Sequence, residues 1–262
     1  MDPLKLVVLF VAVMLAGAIN AIAGGGTVIS YPGFLFAGLP DITANASNAM
    51  ALVPGSLGST AAYRRDLAPN LKVLAILLMP TFLGALLGAL VVARSSNESF
   101  RRIVPFFVLG ATLLFAFRDR VNRLVKRAAT VAEGADHLTP GSYVGGSIAQ
   151  FVIAMYGGYF GAGIGILMLT SLSVMGFRNI HRMNALKAAL AAAINGTAVI
   201  FFAIDGKIDW PLALFAAVGA LIGGYGLARL ARRISPAVIR GFVVVFGLIA
   251  STYLFARGFG LI

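Results

Sequence analysis

Two glycine-rich breaks in otherwise apolar sequence are the features of this chain best suited to bind a ligand. The first is Gly24-Gly25-Gly26, followed by Thr27 as the expected N-cap of a short helix, and the second holds Gly161, Gly163 and Gly165. Consecutive glycines let the backbone turn its N–H groups into a concave nest, and a helix N-terminus carries about half a positive charge. Such a break predicts an anion site that needs no basic side chain. The alternative is that the glycines only permit kinks or close helix packing.

Polar side chains inside the apolar spans are the second group of candidates. They are Asn20, Ser47, Asn48, Asn184 and Lys187. An amide left unpaired in lipid is costly, so each amide is expected to bind either a neighbouring helix or a ligand. A neutral amide can donate to an oxyanion and still release it. Lysine within a membrane marks a functional site by default, and the alternative is that its side chain snorkels to the interface.

The remaining chemical features are a basic cluster and the lack of acidic residues and cysteine within the spans. Arg178, His181 and Arg182 are candidates for a cytoplasmic gate, or they only anchor the chain by the positive-inside rule. No Asp or Glu is expected deep in a span, and cysteine is absent. The sequence therefore predicts no catalytic residue, no metal site, no cofactor and no enzyme. A monoanion leaving an inside-negative cell gains about 2.3 kcal/mol per 100 mV, so its transport would need no carboxylate relay.

The elements that carry these residues are predicted to be membrane helices. Apolar residues make up 60% of the 262 positions and charged residues 11%, against about 25% charged in a globular domain. Apolar stretches of spanning length recur, so the predicted fold class is an all-α polytopic membrane protein. Long helices are predicted over 4–22, 45–63, 71–93, 100–117, 143–160, 182–203, 211–230 and 237–256, and short segments over 28–37 and up to 175.

The same order of elements occurs twice. Asn48 matches Asn184, Gly38 matches Gly176, and the pair Gly84/Gly88 matches Gly219/Gly223, with offsets between 135 and 138 residues. We therefore divide the chain into a first half (1–117), a basic cytoplasmic linker (118–140) and a second half (141–262), each half with about five apolar segments. Lys187 stands where the first half has Ala51, so the charge of the site is expected to be asymmetric.

Lys and Arg indicate an orientation. The 21 basic residues outnumber the 9 acidic ones, for a net charge of +12, and they lie mainly in short loops, as the positive-inside rule requires. With the linker inside and five crossings per half, the halves are inverted repeats, both termini are outside, and the short segments are half-helices near the midplane. Only Arg94, Arg101 and Arg102 then lie on the wrong side. The alternative makes the short segments re-entrant, with four crossings per half and a parallel repeat.

Both breaks resemble signatures of the sulfite exporter TauE/SafE family. In the first half the resemblance is carried by Ala23-Gly24-Gly25-Gly26, Pro32, Gly38 and Asn48-Ala49. In the second half it is carried by Gly157-Gly158-Tyr159-Phe160-Gly161-Ala162-Gly163, His181-Arg182, Asn184-Ala185-Leu186 and Gly206-Lys207-Ile208-Asp209-Trp210. The resemblance covers nearly the whole chain and implies transport of sulfite, sulfonates, other small organosulfur anions or organic acids. Met183 departs from the family, which often has a hydroxyl residue at this position.

These features together predict an alternating-access transporter of small anions. The alternatives are a channel-like anion pathway, a carboxylate permease and, from a different class, a structural membrane subunit without substrate. The expected partners are a small anionic substrate and the lipid bilayer, and a homo-oligomer is compatible with the sequence. Because the basic residues are assigned to loop anchoring, nucleic acid is not an expected partner.

Overall fold

The computed structural model describes residues 2–22, 24–117, 138–227 and 236–261, and the regular structure within these ranges is helical. The helices of the first half are α1 (Pro3–Ile22), α2 (Thr27–Phe36), α3 (Asp41–Ala62), α4 (Arg64–Leu67), α5 (Leu71–Ala93) and α6 (Asn97–Ala116), with a 3-10 turn at Ala68–Asn70. Those of the second half are α7 (Pro140–Tyr159), α8 (Ile164–Met175), α9 (Ile180–Ile204), α10 (Trp210–Leu221), which continues into a π-helical turn at Ile222–Leu227, and α11 (Pro236–Gly258). The predicted all-α fold and the order of its elements are confirmed, and only the short α4 was not foreseen. The linker, predicted over 118–140, lies outside the described residues up to position 137.

Five helices among the described residues are long and apolar enough to cross a membrane. They are Pro3–Ala21, Arg64–Ala93, Asn97–Ala116, Ile180–Ile204 and Val238–Gly258. In contrast, α2 and α8 have 10 and 12 residues, which is about 15–18 Å of helix and roughly half of a ~30 Å hydrocarbon core. These two are the short segments that the sequence predicts after the breaks.

Local sequence signals determine where several helices begin and end. Asn179 caps α9, because its Oδ1 accepts from the backbone N–H groups of His181 and Arg182 at 2.9 and 3.3 Å. Gly38 and Gly176 have φ of +99° and +112° just after α2 and α8, as glycines that terminate helices do. The expected N-cap at Thr27 was wrong: Thr27 is the first residue of α2, and no side chain caps that helix.

Helices of each half pack on helices of the other half. Helix α5 packs on α7, α10 packs on α1, and α3 packs on α9 at the centre. Gly84 and Gly88 lie against the backbone of α7, and Gly219 and Gly223 lie against that of α1, each so close that a Cβ would clash. The prediction that both glycine pairs permit close helix crossing is therefore confirmed.

Helices α3 and α9 run antiparallel. The backbone N–H of Asp209, after the end of α9, donates to Ser47 Oγ near the start of α3 at 2.9 Å. At the other end, Tyr63 and His181 border one vestibule. These directions favour inverted halves, and the inverted repeat stays a prediction.

Candidate functional site

The two glycine breaks lie against each other. A Cβ on Gly24 would come within 2.6 Å of Gly165 Cα, and one on Gly25 would come within 3.4 Å of Gly163 Cα. Gly24 and Gly25 have φ of +76° and +100°, a region that residues with a Cβ rarely adopt. Both backbone conformation and mutual contact therefore require glycine here. The structure brings together the two breaks that the sequence singles out, and with them the N-termini of α2 and α8.

Each break is held by a side chain of the preceding helix. Asn20 Oδ1, near the end of α1, accepts from the backbone N–H of Gly26 at 2.7 Å. The Tyr156 hydroxyl, near the end of α7, donates to the Ala162 carbonyl at 2.7 Å. Asn20 thus shapes the first break, and the second half uses a phenol for the same purpose.

A cavity of about 50 Å³ lies against both breaks. The predicted site residues that line it are Asn20, Gly24, Gly25, Thr27, Gly161, Gly165, Asn184 and Lys187. Lys187 is only 4% exposed, and it lies one helical turn after Asn184 on α9. None of the lining residues is acidic. The cavity therefore combines one basic side chain, three amides (Asn20, Asn184 and Asn195) and the first residues of two helices.

Four of the predicted site residues lie elsewhere. Gly26 packs against the backbone of α1 at Ala16, and Gly163 packs against Ala111. The Ser47 hydroxyl is engaged by the turn before α10. Asn48 is 2% exposed and lies in α3, beyond the residues that line the cavity.

The site predicted from the sequence omits two sets of residues that line the cavity. One set lies on α3, and the other continues the face of α9 that holds Asn184 and Lys187. The additional lining residues are Leu52, Gly55, Ser56 and Ser59 of α3 and Ala188, Ala191 and Asn195 of α9, with Gly17, Ala21, Tyr63, Ile164 and Met168 around them. Residues three and four apart share one helix face. Continuing that spacing from Asn48 and from Asn184 along the two helices would have found both sets.

A wide vestibule of about 870 Å³ adjoins the cavity. Cavity and vestibule share five lining residues, so the two spaces are neighbours: Ala21, Gly55, Ser59, Tyr63 and Asn184. Of the three predicted gate residues, His181 lines the vestibule, whereas Arg178 and Arg182 are not among its lining residues. The cavity is therefore approached from the end where α3 finishes and α9 begins.

Aromatic rings fill the opposite end of the molecule. Tyr31 lies 5.1 Å from Phe160 and 6.5 Å from Phe100 between ring centroids. Phe107 lies 5.3 Å from Tyr159 and 6.2 Å from Phe160. Tyr31 and Phe100 are fully buried, so these five residues, hereafter the aromatic cluster, occupy the space beyond the second break.

A buried carboxylate lies beside the aromatic cluster. Asp41 accepts from Arg101 Nε at 3.0 Å, from the two terminal nitrogens of Arg257 at 2.8 and 3.2 Å, and from the Tyr31 hydroxyl at 3.3 Å. We call these four residues the Asp41 clamp, which joins α2, α3, α6 and α11. Asp41 is the first residue of α3, so it lies at a helix end and not deep within a span, and two arginines compensate for the burial of its charge. The predicted orientation placed Arg101 on the outer side, against the positive-inside rule. Its ion pair with Asp41 explains why a basic residue lies there.

The apolar helices of spanning length, packed around an internal cavity, define a multi-pass membrane protein. A sequence profile of the sulfite exporter TauE/SafE family matches residues 9–254, and the chain belongs to this family of membrane transporters. The resemblance seen in the two break signatures is thus confirmed.

Relatives of nearly full length carry transporter names. A probable membrane transporter protein of Haemophilus influenzae is 28% identical over 92% of this chain and 90% of its own length. The probable membrane transporter protein YfcA of Escherichia coli is 28% identical over 97% and 90%. The probable membrane transporter protein YunE of Bacillus subtilis is 24% identical over 90% and 92%. No solved structure matches the chain.

Proposed function

We propose that this transporter carries small anions, with sulfite, sulfonates and related organosulfur anions as the favoured substrates, and that it works by alternating access. The observation that carries the proposal is the cavity in which Lys187 and the N-termini of α2 and α8 converge. A helix N-terminus carries a partial positive charge, which remains although several of the first N–H groups of α2 and α8 bond to carbonyls of Gly25, Gly26 and Gly163. Lys187 adds a basic side chain beside these two helix ends. No acidic residue lines the cavity to offset this charge.

The size of the cavity supports a small substrate. Its volume of about 50 Å³ corresponds to roughly three to five water-sized groups, at 10–15 Å³ each. An oxyanion of four or five heavy atoms matches this volume. A larger sulfonate or carboxylate would extend past Asn184 into the vestibule.

Two amides in matched repeat positions have buried oxygens that no described residue pairs with, and one of these amides, Asn184, lines the cavity. The Oδ1 atoms of Asn48 and Asn184 are buried and have no hydrogen-bond partner within the described part of the chain. Leaving a buried acceptor unpaired costs about 1–3 kcal/mol, so a purely structural amide would be expected to find a partner. Because an amide oxygen only accepts, the missing partner is a donor, which a protonated oxyanion, a water molecule or a second conformation would supply.

The arrangement of open and closed ends supports alternating access over a channel. The vestibule reaches the cavity from one end, while the aromatic cluster and the Asp41 clamp fill the other. A channel would conduct without saturation, whereas a carrier saturates with substrate. A carboxylate permease would use the same cavity with a different preference among anions. We assign the protein to the inner membrane and propose no catalytic activity for it.

Binding of anions to the purified protein tests the site. Thermal unfolding would be measured with sulfite, sulfate, thiosulfate, short sulfonates and short carboxylates at equal ionic strength. We expect the unfolding temperature to rise most with sulfite or a sulfonate, because a ligand that binds the folded state stabilises it. A largest rise with carboxylates would favour the carboxylate permease, and no rise with any anion would contradict the site.

Flux into proteoliposomes tests the driving force. Since no acidic residue lines the cavity, we propose that export is passive or driven by the membrane potential. A potential of 100 mV favours exit of a monoanion by about 2.3 kcal/mol. Flux that is unchanged when the potential is reversed would rule out potential-driven transport. A structural subunit would show no flux, and loss of both Asn48 and Asn184 would leave its function intact.

A further inference from the structure

A hydrogen bond joins the two halves at the closed end of the molecule. Asn45 Nδ2, in α3, donates to the carbonyl of Tyr159, the last residue of α7, at 3.0 Å. Asn45 is 3% exposed. The last carbonyls of a helix receive no hydrogen bond from within that helix. The Asn45 amide, in the first half, therefore donates to a carbonyl at the end of a helix of the second half.

The repeat assigns a counterpart to Asn45. An offset of 136 residues relates Asn48 to Asn184, and the same offset takes Asn45 to His181. Helix α7 corresponds to α1, since each leads into a glycine break. His181 is exposed in the vestibule, which Ala21 in the last turn of α1 also lines. Helices α3 and α7 are thus joined at the closed end, whereas their counterparts α9 and α1 both border the vestibule at the open end.

We propose that His181 closes the vestibule by donating a ring N–H to a carbonyl in the last turn of α1, as Asn45 does to Tyr159. Imidazole has at least one N–H donor whether or not it is protonated. The inference rests on the alternating-access part of the proposed function and assigns its vestibule gate to one residue. Arg178 and Arg182 are not part of this contact.

The closed end and the vestibule differ in the charged residues that the repeat places there. The offset that relates Asn45 to His181 takes Asp41 to Phe177, so the Asp41 clamp has no carboxylate counterpart at the vestibule. The closed end is held by ion pairs in addition to the amide contact. At the vestibule the repeat places His181 where the closed end has Asn45, and the vestibule lining also includes Arg64 and Asp66.

The test uses spin labels on both sides of the vestibule. The chain has no cysteine, so Ile180→Cys and Tyr225→Cys introduce the labelling positions; both residues line the vestibule. Double electron–electron resonance on the full chain in liposomes, with and without sulfite, would report a long distance for the open vestibule and a short distance for the closed one. The ratio of the two populations is compared in the unsubstituted, His181→Ala, His181→Asn and Asn45→Ala backgrounds.

We expect opposite shifts from the two gates. His181→Ala should lower the short-to-long ratio about fivefold, the effect of one lost hydrogen bond, and His181→Asn should retain it, because Asn is the residue at the closed gate. Asn45→Ala should raise the ratio by weakening the other gate. Since His181 is exposed, its variants test the gate even if Asn45→Ala fails to fold.

Two outcomes would overturn the inference. One is a ratio that His181→Ala leaves unchanged, and the other is the absence of any short distance in all folded backgrounds. Saturable anion flux combined with either result would leave the proposed transport function standing without this gate. A distance change without any anion binding or flux would instead contradict the proposed function.

Discussion

Lys187 is the residue at which the two halves of the site differ in charge. Its first-half counterpart is Ala51, which is fully buried in the core, whereas Lys187 lines the cavity beside Asn184. In the proposed site the basic side chain would therefore come from the second half. The helix N-termini contribute only partial charges, so most of the attraction for an anion is assigned to Lys187.

Replacing Lys187 by Met keeps the length of the side chain and removes its charge. We expect the apparent affinity for sulfite or a sulfonate to fall at least about tenfold, equivalent to about 1.4 kcal/mol, with the fold retained. Lys207→Met is the matched control, since Lys207 pairs with Asp205 at 3.8 Å outside the cavity. Concentration-dependent thermal shifts measure both variants, and an equal affinity for Lys187→Met and the unsubstituted chain would contradict the role of Lys187.

Three glycines separate the effects of backbone conformation and close contact. Gly24 has φ +76° and touches Gly165, Gly38 has φ +99° with open space around a Cβ, and Gly58 has neither constraint. We expect Gly38→Ala to destabilise by about 1 kcal/mol and Gly24→Ala by about 2 kcal/mol or more, because it adds a clash. Gly58→Ala in a helix should stabilise by about 0.5–1 kcal/mol.

Thermal unfolding followed by circular dichroism in detergent measures this series. Anion-dependent shifts on the same variants show whether the break also shapes the site. Equal stability of Gly24→Ala and Gly38→Ala would mean that the contact between the breaks contributes nothing.

At the scale of elements, the Asp41 clamp joins helices that share few other contacts. Helices α6 and α11 pack mainly on each other, and Arg101 and Arg257 attach this pair to the start of α3 through Asp41. A buried carboxylate is unfavourable alone, and the two guanidinium groups and the Tyr31 hydroxyl compensate for its burial. The clamp is therefore expected to hold the closed end together.

Asp41→Asn removes the charge at the centre of the clamp while retaining its shape. We expect a loss of about 1–3 kcal/mol of stability, below the cost of breaking a fully buried pair, since both arginines keep partial contact with solvent. Glu98→Gln is the control: its ion pair with Arg102 is exposed, and losing it should cost under about 0.5 kcal/mol. A loss for Asp41→Asn no larger than for Glu98→Gln, in thermal unfolding, would show that the clamp is not stabilising.

At the scale of the whole molecule, each half needs the other to bury its helices, because helices of one half pack on helices of the other. Helix α10 packs on α1 and α5 packs on α7, so neither half buries its own glycine pair. The antiparallel contact of α3 and α9 then brings the segments around Tyr63 and His181 to one vestibule. Inverted repeats require these segments to lie on the same side of the membrane, whereas the parallel repeat with re-entrant segments places them on opposite sides.

Cysteine labelling distinguishes these two topologies. Inverted repeats place Arg65 inside and Lys207 outside, while the parallel arrangement places both inside. We therefore expect a membrane-impermeant maleimide to label Lys207→Cys in intact cells and Arg65→Cys only after permeabilisation. The unsubstituted chain, which has no cysteine, is the background control, and protection of Lys207→Cys in intact cells would contradict the inverted arrangement.

Class, repeat and break positions follow from the sequence because they depend on local properties. The length of apolar stretches predicts membrane helices, and glycines tolerate the positive φ of Gly24 and Gly176 wherever they lie. The matched spacing of Gly84/Gly88 and Gly219/Gly223 likewise predicts close crossings. The family resemblance is carried by the same residues, because both break signatures contain glycines whose positive φ or close contacts the fold needs.

Only the tertiary structure decided which of the matched residues reach the cavity. Asn48 and Asn184 are equivalent in sequence, yet Asn184 alone lines the cavity, because one end of the α3–α9 pair is open and the other is closed. Asp41 and Arg257 are 216 residues apart, and no periodicity predicts such a pair. Contacts between halves depend on how helices cross and which end is closed, and these are properties of the packed bundle that no local stretch of sequence specifies.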